Sequence, residues 1–301
     1  YVNDFELSDT KPWKIPADFA MTPDLAALRT QVNGAKQPKI EWEALRNGVF
    51  QNVFEDIKVD IGNGSLEKSV PVLTERGSLL DGSPEALIHS IDNLPAAFFS
   101  YGFRHGQSGF LGATPELLFA LHGRQLTTMA LAGTAPADEA TIFESDEKEI
   151  QEHEFVAEYL IQKLSALGTV RREKRQLLDL GTIAHFLSPI HVDLDADPEL
   201  DALIRLMHTT PALGSFPRND EALAKLRNYR VQLEAPPNFG APFGVFADGA
   251  FHSVVGIRNV SWDGDSVFLP SGVGVIRESS FENEWRELNL KRQAVKGLLG
   301  L

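Results

Sequence analysis

The 301-residue chain contains no cysteine, which excludes disulfides, thiolate metal sites and thiol nucleophiles. It also lacks any uninterrupted apolar run of about 18 residues, the length a membrane-spanning helix needs. The opening YVNDFELSDTKPW shows no secretory-signal pattern, so a soluble, cytoplasmic protein is the expectation, with no membrane partner. Positive charge is scarce: 28 Lys and Arg stand against 42 Asp and Glu, a net charge of −14. Such a surface repels phosphate backbones and argues against a nucleic-acid partner. An anionic substrate then needs a metal cation or a local basic pocket.

Two familiar ligand loops are missing as well. DLDADPEL, from Asp193, copies the alternating acids of a calcium loop, but Pro198 stands where the glycine belongs and Ile204 where the last acid belongs. SGVGVI at 271–276 has two spaced glycines without a third and opens no βαβ unit, so a dinucleotide site is not expected.

What is present, with 43% hydrophobic residues, suffices for a substantial core. Residues 1–40 are punctuated by proline and read as a peripheral segment with a short helix at 23–33. Residues 41–301 read as one domain. Trp42, Leu45, Val49, Val53 and Ile57 fall at helical spacing and predict an amphipathic helix over 41–58. LEKSVPVLT then reads as a strand, followed by strands near 96–103, 109–121 and 125–131. Helices are expected at 145–167, 197–208, 219–229 and 281–299. ADGAF and WDGDS place Asp-Gly between apolar runs, a hairpin signal. Strands grouped with hairpins predict an α+β fold with large antiparallel sheets, sandwich-like, flanked by helices.

Two of the helices carry carboxylates three residues apart, hence on one face. Glu149 and Glu152 lie in register with Val156, Leu160 and Leu164, and Glu284 and Glu287 with Leu288, Lys291, Val295 and Leu298. Glutamates on helices usually form a solvated face. Here both pairs fall on the apolar stripe, where unpaired carboxylates are costly and must meet cations. Mg²⁺ suits them, since it takes oxygen ligands, commonly one or two carboxylates completed by water and substrate. Lys68, in an otherwise apolar strand, reads either as an edge-protecting lysine or as a desolvated general base. Glu116, after Pro115, reads as a turn residue or a general acid. Arg258, within a β run, reads as a snorkelling side chain or a carboxylate clamp.

Together LEKSVPV, GATPELL, LAGT, DEKEIQEHE, HTTPALGSFP, FGAPFG, VGIRN, SGVGVI and EWRELNLK, in that order, resemble the chorismate-utilising enzymes: isochorismate, salicylate, anthranilate and aminodeoxychorismate synthases. The resemblance runs from Trp42 to the C-terminus and implies that family's chorismate-binding fold, a chorismate substrate and a monomeric enzyme. It implies that Glu152 and Glu287 hold Mg²⁺, supported through waters by Glu149 and Glu284. It gives Lys68 the role of water-activating base and Glu116 that of the acid protonating the departing 4-hydroxyl. Arg258, Gly272, Gly274 and Lys291 would meet the pyruvyl-type carboxylate. Gly133 and Thr134 would bond near the ring carboxylate, and His208 would line the ring pocket. Relatives using a lysine nucleophile are similar to PIKGT where this chain has Ala132. Salicylate synthases carry Thr, Tyr and Leu where this chain has Ala212, Phe239 and Ile257, so the pattern is similar to isochorismate synthases. Salicylate synthase or another chorismate-converting relative, and a non-catalytic chorismate-binding protein, are the alternatives. Departures from the family pattern fall at Thr209, Pro71 and Pro236.

Overall fold

A computed structural model of the chain describes residues 1–14, 29–30, 32–45 and 47–301. Two antiparallel sheets form the frame. The first has six strands in the order β1 (Lys39–Trp42), β2 (Val72–Asp81), β13 (Ser266–Gly272), β12 (Asn259–Asp263), β4 (Ser108–Thr114) and β3 (Phe99–His105). The second runs β10 (Pro242–Ala247), β11 (Ala250–Val255), β5 (Leu117–His122), β6 (Gln125–Pro136), β9 (Ile183–Leu194) and β7 (Gly168–Arg172). The short β8 (Gln176–Asp179) also pairs with β9. The α+β architecture expected from the hairpin-rich sequence is the one found.

The chain passes between the sheets at two neighbouring seams. Residues 109–121 read as one strand but form two, β4 and β5 in different sheets, parted at Pro115–Glu116. Proline has no N–H to continue a ladder, so the strand ends there. Arg258 likewise lies not within a strand but between β11 and β12, again in different sheets, with φ +55°. The two seams are stitched together: Val255 N–H donates to the Glu116 carbonyl at 3.0 Å, and Ala113 N–H to the Arg258 carbonyl at 3.1 Å. Both side chains are thereby held where the sheets part.

Helices cover the outer faces. They are α1 (Asn47–Gly62), the single turn α2 (Ala140–Phe143), α3 (Glu147–Leu164), α4 (Leu200–Met207), α5 (Asp220–Gln232) and α6 (Phe281–Leu299). Val156, Leu160 and Leu164 of α3 pack with Leu118, Leu126 and Ile190 of the second sheet. Val295 and Leu299 of α6 pack on Val260 and Leu269 of the first, and Leu288 reaches Phe50, Val53 and Ile57 of α1. Ser280 caps α6 by accepting from Asn283 N–H, and Gly300 ends it at φ +71°.

Several local expectations are corrected. Trp42 belongs to β1, opposite Gly77, where a Cβ would lie 2.9 Å from its ring. The helix therefore starts at Asn47, and its buried stripe is Phe50, Val53, Phe54, Ile57 and Ile61. Val49 is 45% exposed. Lys68 precedes β2, in an extended bridge to Phe216. The N-terminal segment is not peripheral, for Tyr1 and Phe5 are buried in the main core. The helix expected at 23–33 falls largely outside the described residues. β7, β8 and β9 were not anticipated; the last carries Ser188 and Pro189 in its middle, which interrupt the apolar pattern. Asp193 sits in β9 opposite Gln125, so no calcium loop forms. Among the described residues no helix is long and apolar enough to cross a membrane.

The corrected phase of α1 is testable by denaturant unfolding. Ile57→Ala should cost about 2–5 kcal/mol, whereas Val49→Ala should stay within about 0.5 kcal/mol. Equal losses would restore the originally expected stripe.

Candidate active site

One cavity opens at the seams. Lys68, Glu116, Gly133, Thr134, Glu149, Glu152, Ala212, Phe239, Ile257, Arg258, Gly272, Gly274, Glu284, Glu287 and Lys291 all line it. These residues come from positions more than two hundred apart in sequence. His208 is the exception and is corrected here. Its ring is buried against Phe5 and its Nε2 bonds to the Phe5 carbonyl at 2.7 Å, away from the cavity. The histidine that does line it is His185 of β9, which sequence reasoning missed. The clue was AHF, a polar residue amid an apolar run.

The LAGT stretch is a β-bulge in β6. Ala132 pairs with Phe186 and Thr134 with His185, leaving Gly133 as the extra residue at φ +76°. The bulge turns Thr134 N–H out of the ladder, to donate to Glu149 Oε2 at 2.9 Å. His185 Nδ1 bonds to the Gly133 carbonyl at 2.8 Å, and Arg258 Nη2 lies 3.4 Å from His185 Nε2. Since a guanidinium only donates and a carbonyl only accepts, the proton sits on Nδ1 and the imidazole is neutral. Burial, then the charge of Arg258, push its pKa down to about 3. Arg258 itself is lowered to about 10 by burial and remains a cation.

Opposite charges pair along the cavity wall, one pair between elements distant in sequence and one within α6. Lys68 Nζ meets Glu152 Oε1 at 2.8 Å, and Lys291 Nζ meets Glu287 Oε1 at 2.6 Å. Lys291 also donates to the Gly272 carbonyl at 3.0 Å. Gly274 leaves room for this pair, since a Cβ there would lie 2.9 Å from Lys68 Cε and 3.4 Å from Glu152 Oε1, so the lysine would have to shift. Lys68 is held by backbone bonds to Phe216 on one side, and its neighbour Ser69 by bonds to Val275 on the other.

Glu116 is 5% exposed, and burial pushes its pKa up to about 7, against the opposing pull of the Thr210 hydroxyl and of Lys291 and Lys68. Thr210 Oγ1 donates to Glu116 Oε1 at 3.1 Å, a positioning contact that the HTTPA motif did not disclose. Glu116 can hold or release a proton near neutrality, as a general acid must.

The four helix carboxylates, Glu149, Glu152, Glu284 and Glu287, stand against three cations, Lys68, Arg258 and Lys291. Among the described residues no group of three or more His, Asp or Glu is spaced as a complete metal site. The donor set fits an oxygen-loving cation completed by water and substrate, not a closed structural site.

A model of the chorismate binding enzyme family matches residues 21–300. The salicylate biosynthesis isochorismate synthase of Pseudomonas aeruginosa is 26% identical over 280 residues, covering 89% of this chain and 56% of that protein. Isochorismate synthase EntC of Escherichia coli is 28% identical over 204 residues, 64% of this chain and 51% of its own. This chain thus spans little more than half the length of these relatives. A Bacillus anthracis protein described as a putative 2,3-dihydroxybenzoate-specific isochorismate synthase, DhbC, superposes with a TM-score of 0.76 at 22% identity, covering 88% of this chain and 76% of that one. That likeness establishes the fold.

The elevated pKa of Glu116 predicts a stability slope. Between about 4.5 and about 7 the folded chain keeps a proton that the unfolded chain has released, so this group's contribution to stability falls as pH rises through that interval. Glu116→Gln should remove the slope. Relative to wild type it should gain up to about 3 kcal/mol in urea unfolding between acid and mildly alkaline pH. Thr210→Val removes a bond that favours the carboxylate, and should move the Glu116 titration still higher.

Proposed function

We propose that this chain, which belongs to the chorismate binding enzyme family, is an Mg²⁺-dependent isochorismate synthase. It would convert chorismate to isochorismate by adding water at C2 with loss of the C4 hydroxyl. The observation that carries the reading is that Lys68 and a buried Glu116 line one cavity together with four helix carboxylates. The names of the curated relatives support it.

Lys68 would deprotonate a water at the substrate ring, and Glu116 would protonate the leaving hydroxyl. The Lys68 ammonium, paired with Glu152, would first release a proton to solvent; its neutral amine would then take one from the water while Glu116 gives one to the leaving hydroxyl, and Glu116 would be reprotonated from solvent before the next turnover. Arg258, braced by His185, supplies a buried two-pronged donor for one substrate carboxylate. Lys291, tied to Glu287 and the Gly272 carbonyl, supplies a second cation. Glu152 and Glu287 would hold the Mg²⁺, with Glu149 and Glu284 accepting from its waters. The bound ion would supply the positive charge against which the other substrate carboxylate settles. Ala212, Phe239 and Ile257 present no hydroxyl to the ring, which favours isochorismate over salicylate as the released product.

Incubation with chorismate and Mg²⁺, with products separated by chromatography, tests this directly. Isochorismate should accumulate and EDTA should abolish it. Lys68→Ala and Glu116→Gln should each lower kcat by at least about a hundredfold. Gly274→Ala should lower it too, by pressing Lys68 away from Glu152. Salicylate as the main product would reassign the enzyme within the family. Absence of turnover at every Mg²⁺ concentration would leave a chorismate-binding protein.

A further inference from the structure

Ser271 is a polar side chain of the cavity to which the proposed reaction gives no task. Next to last in β13, it lines the cavity beside Gly272 and is 3% exposed, as deeply set as Lys68 and Glu116. Side chains alternate along a strand, so Ser271 shares the face of Leu269, which packs on Val295 and Leu299 of α6. Its hydroxyl is thereby turned toward the helix that carries Lys291.

A buried ion cluster fixes that hydroxyl from behind. Arg292 of α6 is 2% exposed, and its Nη1 donates to Ser271 Oγ at 2.7 Å. Its Nη2 donates to Asn289 Oδ1 at 2.7 Å, and its Nε lies 3.6 Å from Glu75 Oε2 of β2. Lys296 Nζ meets the other Glu75 oxygen at 2.6 Å, so two cations share one buried carboxylate. A guanidinium has no lone pair to offer, so Ser271 Oγ is the acceptor and keeps its own hydrogen to give. Among the described residues no acceptor takes that hydrogen. Lys291, whose ammonium bonds to the adjoining Gly272 carbonyl, is a donor only. Of the nearby acids, Glu287 is engaged by Lys291, and Glu116 Oε1 by Thr210. A hydroxyl held by one cation and bordered by another favours an anionic oxygen as its acceptor.

We infer that Ser271 is a substrate-binding residue whose hydroxyl donates to the pyruvyl-type carboxylate beside Lys291. The inference rests on the reading of this cavity as a chorismate site. That carboxylate is remote from the ring carbons that gain and lose oxygen, so its contacts are alike in the ground and transition states. Removing such a contact weakens binding and spares the chemical step.

Two measurements on the full chain test it. With Mg²⁺ saturating, chorismate is titrated calorimetrically into Glu116→Gln and into the same variant carrying Ser271→Ala. Affinity should fall about tenfold, as loss of a hydrogen bond to a charged group does. In turnover with Glu116 intact, Ser271→Ala should raise KM by a similar factor and change kcat by less than about twofold. Ser271→Thr, which keeps a hydroxyl, should recover most of the lost affinity. An affinity in Ser271→Ala within about twofold of its parent overturns the inference. So does a kcat that falls as far as KM rises, the mark of a cavity disturbed as a whole. A fall in kcat alone overturns it too, and assigns the hydroxyl to Glu116. If the chain with Ser271 binds no chorismate at any Mg²⁺ concentration, the chorismate reading itself fails, and Ser271 loses this role with it.

Discussion

Everything in the cavity follows from one electrostatic constraint, the cost of holding like charges out of water. Five carboxyl groups converge there on three cations in a chain whose net charge is −14. The fold meets the constraint in two ways. It leaves Glu116 near its neutral form by burial. It pairs Glu152 with Lys68 and Glu287 with Lys291, and gives Glu149 the Thr134 amide. What remains is four acids against three bases, a balance that a divalent cation reverses and that a doubly charged anion alone would worsen.

The two sheets serve this arrangement. Their strands supply rigid edges, and the chain crosses between them at Pro115–Glu116 and again before Arg258. At both points the backbone leaves the ladder, so its side chains face the gap and not a neighbouring strand. The bulge at Gly133 does the same for the Thr134 amide. Irregular backbone, braced on both sides by regular ladders, places the functional groups where flexible loops would let them wander.

Much of this was legible in the residues. The Asp-Gly signals at Asp248–Gly249 and Asp263–Gly264 both fall at two-residue hairpin loops, the first at 248–249 and the second one residue on, at 264–265, and α6 spans the residues expected of it, 281–299. The paired glutamates were visible because helical periodicity puts them in line with leucines, and periodicity is a local property. The position of Lys68 beside Glu152, 84 residues away, is not local. It depends on strand order, which spacing does not encode. His208 misled because a histidine before a turn carries no sign of which way it faces; only Phe5, some two hundred residues earlier, settles it. The phase of α1 failed because Trp42 supplied an apolar residue at helical spacing that packing assigns to a strand.

The central claim is that the acidic cavity accepts its anionic substrate only together with a divalent cation. Glu116→Gln keeps the facing charges while slowing chemistry, so chorismate can be titrated into it with Mg²⁺ and again with EDTA. The account expects binding at least about tenfold tighter with the metal, and the same factor when Mg²⁺ is titrated with and without chorismate. Equal affinity for chorismate in EDTA would contradict it.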